Sequence, residues 1–302
     1  MRGQYDRYAG AGNPRPAPAY FFPALATLPV HQASNALRPR RDGLTMLISR
    51  SSRLALLPAV LLPATAFAWG DCKFTAERTA SVDTSGVTRI EIAARAGDLA
   101  LRPSTTKVLA ANGRACASSE EILSQINVQA RRTGDVVRVY VEVPDPLEGL
   151  GNLYALIDLG IAVPAGIPVT LTDSSGDMTI DDVQVERLTD SSGDIIARNL
   201  PVDVEIGDSS GDIRVENAAG RVQVTDSSGD IVIEGAREVV IPSDSSGSIR
   251  ITRISGDVRI DNDSSGDVSV AEIGGAFELT ADSSGDVTVS DVKGQVSLPP
   301  KD

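Results

Sequence analysis

The chain has 302 residues, a formal charge of −13, 4% aromatic residues and a single His. That charge disfavours DNA, RNA and anionic lipid as partners. His31 lies in the unpatterned N-terminal stretch, so the patterned remainder has no Ser-His-Asp or Cys-His nucleophile site and no His-based metal centre.

Residues 1–45 are rich in Pro and aromatics without a period, and read as an N-terminal extension that is not native. Synthesis is expected to start at Met46. Residues 46–68, "MLISRSSRLALLPAVLLPATAFA", have the parts of a secretory signal peptide. Arg50 and Arg53 give the positive start, Leu54 to Leu62 the apolar core, and Ala66-Phe67-Ala68 the cleavage pattern. The apolar run is too short for a membrane span. The alternative is an N-terminal anchor helix with a cytoplasmic tail. Cleavage after Ala68 leaves Trp69–Asp302, with 20 basic and 39 acidic residues. Both cysteines, Cys72 and Cys116, lie in that part. An oxidising compartment favours one disulfide between them, which would staple the first strand to the body. Two separate buried thiols are the alternative.

Residues 69–165 are expected to form an irregular N-terminal part of the same stack as the repeats that follow. "VTRIEIAARAGDLALRP" places Ile90 and Ile92 before Gly97-Asp98 and then Leu99 and Leu101. "TGDVVRVYVEVP" alternates through Val137, Val139, Val141 and Val143. "SSEEILSQI" at 118–126 predicts one or two helical turns, with a Ser cap and Glu120 and Glu121 at the positive end. "DPLEGLGNLYALIDLG" at 145–160 reads as an excursion that caps the stack, or alternatively as a small binding surface.

Residues 166–302 contain the pentapeptide DSSGD six times and DSSGS once. The first Asp of each copy falls at 173, 190, 208, 226, 244, 263 and 282, a spacing of 17–19 residues. Five residues after it comes Met178, Ile195, Ile213, Ile231, Ile249, Val268 or Val287. Seven after it comes Ile180, Ala197, Val215, Ile233, Ile251, Val270 or Val289. A third apolar column follows at ten. A second alternating pair closes most repeats, as in Val222/Val224 and Phe277/Leu279. Alternation over four or five residues means a short strand with one buried face. One repeat cannot bury that face alone, so neighbours must stack. The spacing predicts an all-β, single-stranded β-helix, or solenoid, of right-handed sense, with one coil per repeat. An antiparallel sandwich or barrel would explain the alternation but not the even columns.

Within the turn, Gly176, Gly193, Gly211, Gly229, Gly247, Gly266 and Gly285 are expected at positive φ, which a side chain resists. The first Asp is expected to close an Asx-turn. The second gives the column Asp177, Asp194, Asp212, Asp230, Asp267 and Asp286, interrupted by Ser248. Alternation points these carboxylates outward. They form either a solvated edge or a weak Ca²⁺ site between coils. The Gly-Gly-x-Gly-x-Asp loop of calcium-binding β-rolls is absent. No cofactor is expected beyond that weak Ca²⁺ alternative.

"IAVPAGIPVTLTDSSGDMTI" at 161–180 resembles the junction in an adhesin-like family of unknown function, the DUF4097-type β-strand repeat proteins. The element Val163-Pro164-Ala165-Gly166 followed by Ser-Gly-Asp-Ile/Val coils carries the likeness, which covers roughly 80–302. The resemblance implies a β-helix-like solenoid in the periplasm, secreted, or at the surface of a bacterium. It supplies no catalytic residues, and a fold does not confer a function.

The reading is a non-catalytic exported envelope or surface protein with a structural or adhesin-like role. One alternative is a polysaccharide-acting β-helix enzyme using carboxylates alone. Seven nearly unbroken coils and few rings argue against it. The other is a calcium-dependent binding module. The expected partner is an envelope or surface protein or glycan, with no nucleic acid and no integral membrane span after cleavage. End-to-end or dimeric association is open, because Pro299 and Pro300 stop the last strand with no capping element after it.

Overall fold

The computed structural model describes residues 72–144 and 153–300. The extension at 1–45, the signal peptide at 46–68 and the Trp69 start lie outside the described residues. The irregular part contains β1 (Phe74–Asp83), β2 (Arg89–Ala93), β3 (Leu99–Ser104), β4 (Val108–Ala117), α1 (Glu120–Gln125), β5 (Asn127–Thr133), β6 (Val136–Glu142) and β7 (Ala155–Pro164). Next come β8 (Val169–Thr172), β9 (Met178–Asp181), β10 (Val185–Thr189), β11 (Ile195–Arg198), β12 (Val204–Gly207), β13 (Ile213–Glu216), β14 (Arg221–Thr225) and β15 (Ile231–Ala236). The series ends with β16 (Glu238–Ser243), β17 (Ile249–Ile254), β18 (Val258–Asp263), β19 (Val268–Ile273), β20 (Phe277–Asp282), β21 (Val287–Val292) and β22 (Val296–Ser297).

Each coil gives one strand to each of two sheets. One runs β1-β4-β7-β3-β9-β11-β13-β15-β17-β19-β21 and the other β22-β20-β18-β16-β14-β12-β10-β8-β2-β6-β5. From β8 and β9 onward every pairing between repeats is parallel, and in the first sheet all are in register, so the chain is a β-solenoid. Ile213 pairs with Ile195 and Ile231, and Ile231 with Ile249. Like residues therefore stack on like. The columns at positions five, seven and ten are buried from Met178 through Ile273. Burying an Ile side chain contributes about 1.5–3 kcal/mol, so the columns supply the cohesion between coils.

The variable spacing is absorbed in the second sheet. Val222 pairs with Val239 and Gln223 with Val240, but Thr225 pairs with Ser243, so β16 carries one extra residue there as a bulge. A similar shift between Val185 and Arg187 serves the 17-residue repeat.

The irregular half continues the stack. β2 lies between β8 and β6, and β3 between β9 and β7, all parallel. Beyond them the direction changes: β4 pairs antiparallel with β7, β1 with β4, and β5 with β6. These antiparallel strands and α1 close this end. Ser119 caps α1, accepting the Ile122 N–H at 3.2 Å. Arg78 donates to the Ile126 and Leu123 carbonyls at 2.6 and 2.8 Å, tying β1 to the helix end. Cys72 and Cys116 form a disulfide with Cα atoms 5.9 Å apart, between the start of the described chain and β4.

The expected excursion at 145–160 differs in the structure. Residues 155–160 lie inside β7, in the middle of a sheet, because Leu159 and Ile161 continue the inward columns against Leu99 and Leu101. Residues 145–152 lie outside the described residues. At the other end, β21 and β22 are the outermost strands among the described residues. Val287, Val289 and Val292 are only partly buried, and Val296 and Leu298 are exposed.

Candidate functional site

The DSSGD turns stack into one continuous edge. Gly229 has φ 141°, and a Cβ there would collide with the Gly211 carbonyl of the preceding coil. The same holds from Gly176 to Gly285, so the seven turn glycines have both a conformational and a steric reason to be Gly. Gly97 begins this column, with Ile157 beneath it.

From the second turn onward, the second serine links coils. Ser192 Oγ donates to Ser174 O at 3.2 Å, Ser210 to Ser191 O at 3.1 Å, and Ser228 to Ser209 O at 3.1 Å. Ser246, Ser265 and Ser284 repeat the bond. The first serine contributes its carbonyl, while its own side chain faces outward.

The second aspartates point outward as expected, yet all but Asp286 on the last described coil have a structural task. Asp177 Oδ1 accepts the Asp194 N–H at 3.2 Å, Asp194 that of Asp212 at 3.0 Å, and Asp212 that of Asp230 at 2.9 Å. Asp230 accepts from Ser248 at 2.8 Å, and Asp267 from Asp286 at 3.0 Å. Two further residues head the column. Asp158 accepts the Asp98 N–H, and Asp98 that of Asp177, both at 3.1 Å. Burial pushes the Asp98 and Asp158 carboxyls above the usual range. Gly97-Asp98 is visible in the sequence as a turn, but Asp158 has no glycine before it to mark it. Among the described residues, no three or more His, Cys, Asp or Glu side chains are grouped to hold a metal ion.

The first aspartates are the residues that sequence reasoning misplaced. Those from Asp190 to Asp263 still face the N–H of the serine two residues on, as an Asx-turn requires, but from inside the coil and not from its edge. Asp173, Asp190, Asp208, Asp226, Asp244 and Asp263 are 0–6% exposed. Asp190 and Asp226 each accept one hydrogen bond, from the N–H of the next serine, at 2.8 and 2.7 Å. Both oxygens of Asp173, Asp208, Asp244 and Asp263 are buried without a hydrogen-bond partner, as is one oxygen in each of Asp190 and Asp226. The signal was in the preceding strand. In Val222, Val224, Asp226 the inward alternation runs straight into the aspartate. Asp282, on the last described coil, makes the two-residue Asx contact to Ser284 at 3.2 Å.

A second corner also escaped notice. Asp182, Asn199, Asn217, Arg253, Glu272 and Asp291 have φ of 53–59°, and Gly235 takes the equivalent place at 81°. All fall nine residues after the first Asp of their repeat. Beside this corner, on the outer face, an ion-pair chain crosses coils. Arg198 meets Glu216 at 3.0 Å, Arg214 meets Glu216 and Glu234 at 2.6 and 2.9 Å, and Arg253 meets Glu234 at 2.8 Å. The Arg214 and Arg198 guanidiniums hold Glu216 below the usual carboxylate range, and Arg253 and Arg214 do the same for Glu234. These pairs are partly solvated, so each contributes little alone. On the other sheet a shallow depression of about 400 Å³ is lined by Glu186, Asp203, Glu205, Arg221 and Gln223 together with Val202 and Val204. Two of its carboxylates are already paired, Glu205 with Arg187 at 2.8 Å and Asp203 with Arg237 at 3.2 Å.

No curated protein matches the chain. Crystal structures similar to it include a putative cell adhesion protein from Clostridium sporogenes, at 11% identity and TM-score 0.34, covering 72% of this chain and 99% of that one. Another is a putative lipid binding protein from Parabacteroides distasonis, at 14% and 0.35, covering 74% and 96%. A third is a putative adhesin from Bacteroides fragilis, at 14% and 0.33, covering 75% and 97%. Likenesses at this level carry no argument about function. The family model for Toastrack DUF4097 matches residues 82–264, the span that holds the stacked turns, the inner aspartates and most of the irregular coils. That span is more than half of the chain, and the chain belongs to the Toastrack DUF4097 family.

Proposed function

We propose that this chain is a non-catalytic scaffold of the bacterial envelope or cell surface, presenting a repetitive outer face to a surface protein or glycan. One observation carries the reading. The repeated polar residues of the turn edge are spent on holding coil to coil, and the register runs unbroken from Met178 to Val287. A β-helix enzyme needs a local break where carboxylates converge on a substrate. Export follows from residues 46–68, and the Cys72–Cys116 disulfide suits an oxidising compartment. No helix among the described residues is long and apolar enough to cross a membrane.

The test incubates purified protein with immobilised pectate, alginate, chitin and peptidoglycan, and measures both retention and released reducing ends. Retention on one of them without release supports the reading. Release that is lost on mutating a carboxylate would overturn it. N-terminal sequencing of protein from the envelope fraction checks export, with a first residue near Trp69 expected.

A further inference from the structure

The inner aspartates have no part in that reading. They occupy one position per coil, and the structure stacks them in register: Asp244 bridges Asp263, and Asp263 pairs with Asp282. Adjacent members are therefore about 4.8 Å apart along the stack. Six are buried, and the turn-serine N–H groups are the only donors set against their carboxyl oxygens among the described residues. The charged groups set against them among the described residues are acidic. Asp173 faces Asp190 and Asp98, and Asp190 faces Asp208. Asp208 faces Asp194, and Asp226 faces Asp208 and Asp212. Asp244 lies between Asp226 and Asp263, and Asp263 faces Asp282. The N–H groups of the turn serines help the ionised forms.

A buried carboxylate without a partner costs several kcal/mol, and a row of them at this spacing cannot all ionise. A metal ion could neutralise them, but no three ligating side chains are grouped for one among the described residues. The remaining neutralising ligand is the proton.

We propose that the inner aspartate column is a proton-binding site that fills from solvent near neutral pH and tightens the stack as it fills. Alternate members load first, since protonating one relieves both neighbours, so the titration belongs to the column and is spread over a wide range. Burial pushes Asp173 and Asp244 up to about 7, and Asp226 and Asp263 up to about 6. Burial raises Asp190 and Asp208 as well.

The sign follows from linkage. These carboxyls have folded pKa values above the unfolded value of about 3.9, so between about pH 4 and pH 7 the folded state binds more protons than the unfolded one. Stability contributed by the column is full below that window and is lost as the pH rises through it. Glu216 and Glu234, held low by arginines, act in the opposite sense and lose stability only in stronger acid.

The experiment is a pH titration of the whole protein with aspartate labelled at the side-chain carboxyl carbon, followed by NMR, alongside melting temperatures at the same pH values. A group of carboxyl resonances titrating around pH 6–7 is expected, apart from an exposed group near pH 4. The melting temperature should fall between about pH 5 and pH 7. The double variant Asp226→Asn, Asp244→Asn should lose two of the high-titrating resonances and flatten that fall, while Asp286→Asn, on the outer column of the last coil, leaves the slope intact. Titration of every aspartate near pH 4 would overturn the proposal. So would parallel pH profiles for wild type and the double variant. If the double variant fails to fold, the wild-type resonances alone decide.

Discussion

Asp212 Oδ1 accepts the backbone N–H of Asp230 at 2.9 Å, one coil further on. An outward carboxylate thus acts as a cap for the next turn. An amide oxygen can accept the same bond, whereas a methyl cannot. Asp212→Asn is therefore expected to keep or slightly raise stability, since it also removes like-charge repulsion along the edge. Asp212→Ala should lose about 1 kcal/mol. Urea unfolding midpoints of the two variants check this, and equal loss in both would mean that charge, not the bond, matters.

Neighbouring serines of one turn should behave differently. Ser209 offers only its backbone carbonyl to the Ser228 hydroxyl, while the Ser210 hydroxyl donates to Ser191 O. Ser209→Ala should change stability by less than about 0.3 kcal/mol, and Ser210→Ala should cost about 0.5–1 kcal/mol. Paired denaturant curves resolve the difference.

Gly229 and Gly207 make a control pair. Gly229 needs φ 141° and has the Gly211 carbonyl where a Cβ would go, but Gly207 in β12 has open space and no positive φ. Gly229→Ala should cost about 3 kcal/mol or more, combining backbone strain and overpacking. Gly207→Ala should be neutral or mildly stabilising. Melting temperatures of the two single variants check the contrast.

Glu272 is an exposed, unbranched side chain held at φ 59°, where its counterparts Asn199 and Asn217 are better suited. Glu272→Asn is expected to raise stability by about 0.5–1 kcal/mol. A melting temperature equal to or below that of the wild type would show that this corner is not strained.

The stack, its period and its buried columns were legible because like residues recur at fixed offsets, as from Ile195 through Ile213 to Ile231. The inner aspartates were not, because a polar residue in a turn-forming pentapeptide reads as solvated. Only continuation of the Val222–Val224 alternation into Asp226 betrays its inward side chain. The corner at Arg253 and Glu272 was hidden since neither residue type favours the left-handed region. Strand β7 was hidden by its position: Leu159 and Ile161 face columns from β3, which precedes it by more than fifty residues, and no local period records that crossing.

The antiparallel strands and helix close one end of the solenoid, and among the described residues the last coil leaves Val296 and Leu298 exposed. Residues 72–164 supply that closed end, and the chain leaves a ribosome or an export channel in the same order. A finished first coil already displays the row of carbonyls, N–H groups and Asp98 Oδ1 that the next coil must meet. Assembly can therefore be vectorial. Each coil templates its successor as it emerges, so the nascent chain needs to order only about one repeat at a time, and the surface left open is always the one waiting for the next segment.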